Sequence, residues 1–241
     1  MFAGAGDDLF NWNPGDGSDV DEGGSGTDTL LFNGSNVSEH FDISANGTRV
    51  SLLRDVGQIA MDLNSVEHLV VNASGGADTV TISDLSGTGV TQTDIDLGSG
   101  GVNTNGDGAD DTVVINGTAG ADAIILSIVN GALVVDGLPG GKITVAHFDA
   151  NDTFVFNGLG GDDVIDASAI GTNGPKLVLN GNDGADILIG SSGNDEIHGG
   201  NGDDVLIGGP GQDVLDPGPG DNVVIQDLVA PNANAHHFDL G

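Results

Sequence analysis

Apolar residues in this chain come in short runs separated by turns rich in Gly and Asp. Between residues 181 and 225 the pattern repeats every nine residues, as GNDGADILI, GSSGNDEIH, GGNGDDVLI, GGPGQDVLD and PGPGDNVVI. Position four is Gly in all five units, position eight is apolar, and position six is Asp in four units and Asn222 in the fifth. Each unit predicts a turn followed by a three-residue strand whose position-eight side chain points inward. Because so short a strand cannot bury that side chain alone, we expect successive units to stack into a solenoid.

A looser refrain runs through residues 34–180 and its margins. It reads DTLLFNG from residue 28, DTVTIS from 78, DTVVING from 111, DTFVFNG from 152 and KLVLNG from 176. Alternating apolar and polar positions predict strands, and Asn-Gly, Gly-Gly and Asp-Gly pairs predict turns between them. The segment 41–52, FDISANGTRVSL, predicts a hairpin at Asn46-Gly47. Since no segment has a helical period, we predict an all-β fold, a parallel β-roll or β-helix solenoid; a compact β-sandwich is the alternative for the middle.

Stacking of the nine-residue units brings one Asp of each turn over an Asp of another turn. Carboxylates held close together repel each other unless a cation lies between them. Carboxylate and carbonyl oxygens are hard ligands that favour Ca²⁺ over Zn²⁺ or Cu²⁺. The sequence therefore predicts several bound Ca²⁺ ions, with two Asp charges balanced by one divalent cation.

The motif G-G-x-G-x-D-x-U-x resembles the RTX, or haemolysin-type calcium-binding, repeats. This resemblance implies a parallel β-roll with two nonapeptides per coil and Ca²⁺ held between turns on the same side. It pairs Asp186 with Asp204, Asp195 with Asp213, and Asp204 with Asn222, whose neutral amide implies a weaker site or the end of the roll. Asp204 would then serve two sites, and its replacement should weaken Ca²⁺ binding more than that of Asp186. The position-four glycines are implied to offer backbone carbonyls, namely Gly184, Gly193, Gly202 and Gly211.

Less regular copies of the motif lie outside the C-terminal block. They are AGAGDDLFN (3–11), PGDGSDVDE (14–22), GGSGTDTLL (23–31) and the isolated GLGGDDVID (158–166). Their position-six residues are further candidate ligands, namely Asp8, Asp19, Asp28 and Asp163.

These patterns divide the chain into four parts. We expect degenerate repeats at 1–33, an irregular β-solenoid at 34–180, an RTX β-roll at 181–225 and a tail at 226–241. RTX substrates of type I secretion carry an uncleaved C-terminal signal, which Phe238-Asp239-Leu240 loosely matches; a disordered end is the alternative interpretation of the tail.

The charge balance limits the partners. The chain carries 37 acidic residues against 4 basic ones, for a net charge of −33. Such a surface repels nucleic acid, anionic glycans and anionic membranes. There is no Cys, no apolar run near the length of a membrane span, and no basic and apolar N-terminal pattern of a signal peptide. We expect an extracellular protein exported by type I secretion without an N-terminal signal peptide.

No motif points to catalysis. There is no HExxH, the chain has no Tyr, and paired acids such as Asp94 and Asp96 are common where Asp is abundant. We therefore predict a non-enzymatic, calcium-binding structural module. The alternatives are an adhesion or surface-array module whose copies stack end to end, and an accessory RTX region of a secreted polysaccharide-modifying enzyme.

Overall fold

Twenty-two short strands divide equally between two sheets in the computed structural model, which describes residues 1–99 and 106–226. The strands of sheet I, in chain order, are β1 (Phe2–Ala5), β3 (Val20–Ser25), β5 (His40–Asn46), β6 (Arg49–Arg54), β7 (Ile59–Asn64), β9 (Thr79–Ile82), β11 (Thr112–Asn116), β15 (Thr153–Gly160), β17 (Lys176–Asp183), β19 (Glu196–Asn201) and β21 (Val214–Asp216). The strands of sheet II are β2 (Leu9–Trp12), β4 (Thr29–Asn33), β8 (His68–Asn72), β10 (Gln92–Asp96), β12 (Ala123–Val129), β13 (Ala132–Asp136), β14 (Lys142–Ala146), β16 (Val164–Asp166), β18 (Ile187–Ile189), β20 (Val205–Ile207) and β22 (Val223–Ile225).

The two sheets are mostly parallel and are stacked as in a solenoid, which confirms the predicted fold class. No helix of the described residues is long and apolar enough to cross a membrane. The predicted secretion signal at Phe238-Asp239-Leu240 lies outside the described residues, as does all but the first residue of the predicted tail.

The nine-residue units alternate between the sheets. Leu188 in β18 pairs in register with Leu206 in β20, which pairs with Val224 in β22, all in sheet II. Ile197 in β19 pairs with Leu215 in β21 on the opposite sheet. Partners on one sheet are therefore two units apart, and two nonapeptides form one coil, as the resemblance implied.

Strands from the middle of the chain pair within the same two sheets. In sheet I, β9, β11 and β15 are parallel and continue into β17 and β19. The regular winding is interrupted twice by antiparallel meanders, β5–β6–β7 in sheet I and β12–β13–β14 in sheet II. The first contains the predicted hairpin, confirmed by the pairing of Asn46 with Arg49. The second, which the sequence analysis did not predict, reverses at Asn130 and Gly131, whose φ angles of 52° and 84° are those of a type I′ turn.

The core lies between the sheets and is filled by the alternate residues of each strand. Phe32, Phe41, Phe154 and Phe156 are among its largest fully buried side chains. Trp12 stacks on Phe32 with ring centroids 4.1 Å apart and planes 2° apart. Burial of these rings gives the coils between residues 12 and 156 a larger apolar core than the smaller position-eight side chains of the repeats can form.

Asparagines that end the refrain stack along sheet I. Asn157 Nδ2 donates to Asn116 Oδ1 at 2.7 Å, and Asn180 Nδ2 donates to Asn157 Oδ1 at 2.7 Å. A second pair lies in sheet II, where Asn72 Nδ2 donates to Asn33 Oδ1 at 2.7 Å. The Asn that ends the refrain thus marks side-chain hydrogen bonds between coils, and Asn72, which lies outside the refrain, forms a bond of the same kind.

The position-eight residues predict a test of the coil stacking. Leu188 is fully buried, whereas Val224, in the last described coil, is 46% exposed. We expect Leu188→Ala to lower the free energy of unfolding by roughly 2–5 kcal/mol, the usual loss for a buried Leu. Val224→Ala should cost less than about 1 kcal/mol because it removes little buried surface. Urea unfolding of both variants in Ca²⁺ measures this, and equal losses would contradict the stacking order.

Candidate metal site

The position-six acids of successive coils are joined by hydrogen bonds along the edge that leads into sheet II. The N–H of Asp163 donates to Asp186 Oδ1 at 2.8 Å, that of Asp186 to Asp204 Oδ1 at 2.9 Å, and that of Asp204 to Asn222 Oδ1 at 2.7 Å. Each of these residues immediately precedes a strand of sheet II. We call the series the sheet II ladder; its members are Asp8, Asp28 and Glu67, then Asp122, Asp163, Asp186, Asp204 and Asn222.

A second series precedes the strands of sheet I. Asp195 N–H donates to Asp213 Oδ1 at 3.0 Å, and Asp78 N–H donates to Asp111 Oδ1 at 2.7 Å. We call it the sheet I ladder; its members are Glu39, Asp78, Asp111 and Asp152, then Asp195 and Asp213. Carboxylates therefore stack along both edges of the solenoid.

The three predicted pairs do lie in neighbouring coils on the same side. The motif at 158–166, which is isolated in sequence, adjoins the repeat block in space, because Asp163 stacks directly before Asp186. Because of an insertion between β16 and β17, Asp163 and Asp186 are 23 residues apart in sequence, whereas Asp186 and Asp204 are 18 apart. Asp186 consequently has an acidic neighbour on one side and Asp204 on the other, so the reason for expecting a milder effect at Asp186 disappears.

The other predicted residues are placed as follows. Asp8 and Asp28 belong to the sheet II ladder, whereas Asp19 is half-buried outside both ladders, with its carbonyl accepting the N–H of Asp62 at 3.0 Å. A side chain on Gly202 would collide with the carbonyl of Gly184, and one on Gly211 with that of Gly193. The position-four carbonyls thus face the next coil.

Six ladder acids escaped the sequence analysis, although the refrain contains three of them; the other three are Glu39, Glu67 and Asp122. Asp78, Asp111 and Asp152 each open a copy of the refrain and occupy the place of a position-six Asp, one residue before a strand. Glu39 has no such signal, since it replaces Asp and is followed by His40. The common Asp-Thr dipeptide before a strand was the available clue.

Several buried carboxylate oxygens in the sheet II ladder have no hydrogen-bond partner among the described residues. They are Oδ2 of Asp28, Asp163, Asp186 and Asp204, in residues no more than 1% exposed, together with Oδ2 of Asp8. An unpaired buried polar group costs roughly 1–3 kcal/mol, and more when it is charged. These oxygens therefore require a positive partner or a proton.

A backbone carbonyl lies beside the unpaired oxygens of Asp163, Asp186 and Asp204. A methyl group built on Gly199 would lie 2.5 Å from Asp204 Oδ2 and 2.6 Å from the carbonyl oxygen of Pro217 in the next coil. Gly181 and Gly158 have equivalent surroundings beside Asp186 and Asp163. Position-one glycine thus keeps open a small space lined by hard oxygen atoms, which fits Ca²⁺.

Side chains alone do not enclose such an ion. Within residues 1–99 and 106–226, no three His, Asp or Glu side chains converge as a metal-binding group. An ion at the sheet II ladder would accordingly take part of its ligands from backbone carbonyls, as flexible oxygen sites for Ca²⁺ commonly do.

Burial makes several ladder acids harder to ionise in the metal-free protein. It raises the pKa of Asp163 from 3.8 to about 6, and repulsion from Asp186 adds to this effect. Burial likewise raises the pKa of Asp186. In the sheet I ladder, burial raises the pKa of Asp78 to about 8 and that of Asp111 to about 7. Folding without a cation therefore opposes the ionisation of these groups.

Comparison with known families supports the interpretation of the C-terminal block. Residues 180–215 and 189–224 match the family model of the RTX calcium-binding nonapeptide repeat, which contains four copies of the repeat. No curated protein sequence matches the chain. Residues 180–224 are therefore an RTX calcium-binding repeat module, and the resemblance is confirmed for this region.

The raised pKa values predict how pH changes the stability of the metal-free protein. Native Asp78 and Asp111 keep protons that the unfolded chain releases above about pH 4, so the free energy of unfolding falls as pH rises toward 8. After metal removal on a chelating resin, Tm should fall between pH 5 and pH 8 by at least about 4 °C, the change that roughly 1–2 kcal/mol produces in a chain of this length.

Asp78→Asn provides the control, because the amide still accepts the N–H of Glu39 but cannot ionise. Its Tm should fall less over the same interval. A wild-type Tm that rises from pH 5 to pH 8, or an identical profile in the variant, would contradict the assignment.

Proposed function

We propose that this protein is a non-catalytic, extracellular calcium-binding module whose folding is stabilised by Ca²⁺ between stacked turns. The observation that supports the proposal most strongly is the row of buried Oδ2 atoms of Asp163, Asp186 and Asp204 without a partner among the described residues, two of which lie in the segment that matches RTX repeats. RTX repeat proteins are generally secreted. Extracellular calcium modules typically have dissociation constants of about 10⁻⁴–10⁻³ M, close to the concentration outside cells.

The residues that would hold the ions are the acids with unpaired buried oxygens and the residues whose backbone carbonyls lie beside those oxygens. Asp163, Asp186 and Asp204 would contribute Oδ2, and the carbonyls of Gly199 and Pro217 face the spaces beside two of these atoms. Bound Ca²⁺ supplies positive charge that offsets the repulsion between coils. Because the unfolded chain does not bring these coils together, the binding free energy adds to folding.

The basic residues support a structural role in place of catalysis on an anionic substrate. Arg49 pairs with Glu22 at 2.7 Å and with Asp62 at 2.6 Å, and Arg54 is buried against Glu39. Two of the four basic residues in the chain are therefore engaged in ion pairs within the protein. Few positive charges are left to attract an acidic glycan to the surface.

Replacement of a single ladder acid tests the proposal. Asp204→Asn keeps the acceptor for the N–H of Asp186 but removes the negative charge beside Gly199 and the carbonyl of Pro217. At free Ca²⁺ 100 times the dissociation constant, one site stabilises the fold by about 2.7 kcal/mol. We expect the variant to lose a stabilisation of this order, measured as the difference in unfolding free energy with and without Ca²⁺.

Asp203→Asn is the matched control. Asp203 is exposed, is the neighbour of Asp204 in sequence, and accepts the N–H of Asp221 at 2.8 Å, a bond that Asn preserves. Its Ca²⁺-dependent stabilisation should equal that of the wild type. The proposal is rejected if Ca²⁺ stabilises neither the wild type nor the control.

A further inference from the structure

The turns before the ladder acids differ at position two of the repeat. Before Asp163, Asp186 and Asp204, the position-two residues are Leu159, Asn182 and Gly200, with φ angles of 76°, 75° and 105°. Positive φ is unfavourable for Leu, although Asn and Gly adopt it readily, and such strain is retained mainly at functional positions. We call these turns open, because no position-two N–H is hydrogen-bonded to the Asp.

Three turns have a different structure, which we call closed, with Ser191, Thr118 or Ser35 at position two. Ser alone does not close a turn, because Ser74, at position two before Asp78, has a φ of 76°. The N–H of Ser191 donates to Asp195 Oδ2 at 2.7 Å, and the Ser191 hydroxyl lies 2.9 Å from the same oxygen. Thr118 N–H donates to Asp122 Oδ2 at 2.6 Å, and Ser35 N–H to Glu39 Oε2 at 2.9 Å. None of these three position-two residues has a positive φ.

The two turn types leave the second carboxylate oxygen in opposite states. In the open turns of Asp163, Asp186 and Asp204, Oδ2 is buried without a partner among the described residues. In the closed turn of Asp195, which is 3% exposed, amide and hydroxyl donors of Ser191 occupy that oxygen. Donor hydrogens directed at an oxygen repel a cation approaching the same atom.

Asp213, which is stacked on Asp195, also has both carboxylate oxygens hydrogen-bonded within the protein. Gly209, at position two before Asp213, has a φ of 91°, so this turn is open. Nevertheless, Gln226 Nε2 donates to Asp213 Oδ2 at 2.9 Å. Asp213 Oδ1 accepts the N–H of Asp195 at 3.0 Å. Both carboxylates of this pair therefore have protein donors on both oxygens.

A closed turn elsewhere shows the same principle. Glu39 accepts from Ser35 at one oxygen and from the buried guanidinium of Arg54 at the other, with Nε 2.9 Å from Oε1. Here the chain supplies its own cation. Closed turns thus combine an acid with internal donors, and the open turns of Asp163, Asp186 and Asp204 leave an oxygen for an external cation.

We infer that Ca²⁺ in the coils of residues 158–225 is confined to the edge that leads into sheet II, at Asp163, Asp186 and Asp204, and that Ser191 closes the Asp195 turn to the ion. The inference rests on the proposed function and makes the conformation of position two one condition for binding, together with the lack of another donor such as Gln226. It differs from the expectation that the resemblance implied for Asp195, since that turn matches the repeat and yet has no unpaired oxygen.

Calcium stoichiometry of the full chain, measured by isothermal titration calorimetry, tests this inference. Ser191→Gly removes the hydroxyl and permits a positive φ, so it should bind one ion more per chain than the wild type. Asp195→Asn should leave the stoichiometry unchanged, whereas Asp186→Asn should lower it by at least one ion. Ser192→Gly, the neighbouring position-three change, is the matched control and should bind as the wild type does.

The outcomes separate the inference from the proposed function. If Asp195→Asn loses as many ions as Asp186→Asn, the inference is overturned while the calcium-binding function stands. A Ser191→Gly protein that folds but binds no additional ion also overturns it. A wild-type chain that binds no Ca²⁺ overturns both. Should Ser191→Gly fail to fold, the comparison of Asp195→Asn with Asp186→Asn still decides.

Discussion

Repulsion between acids that are forced to stack is the constraint on which this structure depends. Each coil places a carboxylate one residue before a strand, and the N–H of that acid donates to the carboxylate of the next coil. The hydrogen bonds set the register, but they satisfy only one oxygen of each group. Coil stacking, which buries the core, therefore also buries negative charge, and the fold is stable only where that charge is balanced.

The chain balances this charge differently along its length. In the first half, Arg54 neutralises Glu39, and the aromatic cluster around Phe32 and Phe41 adds apolar stabilisation. In the sheet I ladder, raised pKa values let Asp78 and Asp111 hold protons. In the C-terminal block the core side chains are small and the orphan oxygens follow one another in consecutive coils, so an external divalent cation contributes most there.

Much of this could be predicted because a nine-residue period determines both strand position and stacking partner. The period specified Asp186 over Asp204 and Asp195 over Asp213, and Asn46-Gly47 specified a hairpin. Sequence alone did not reveal where Asp163 lies. An insertion separates it from Asp186, and no local signal in the sequence fixes the length of that insertion. It also did not distinguish Asp195 from Asp186, since that difference lies in the φ of position two and in which donor reaches Oδ2. The second meander was missed because Asn130-Gly131 is one Asn-Gly pair among many.

The most direct test of the central claim is a far-UV circular dichroism titration of the metal-depleted chain with Ca²⁺, with Mg²⁺ as the control. If buried acids oppose coil stacking, Ca²⁺ will increase the β signal cooperatively, and Mg²⁺, which sheds its water reluctantly and demands octahedral geometry, will do so weakly. A chain that already has its full β signal without metal, and whose thermal unfolding Ca²⁺ does not shift, would contradict the account. Its solenoid would then be held by the apolar core alone.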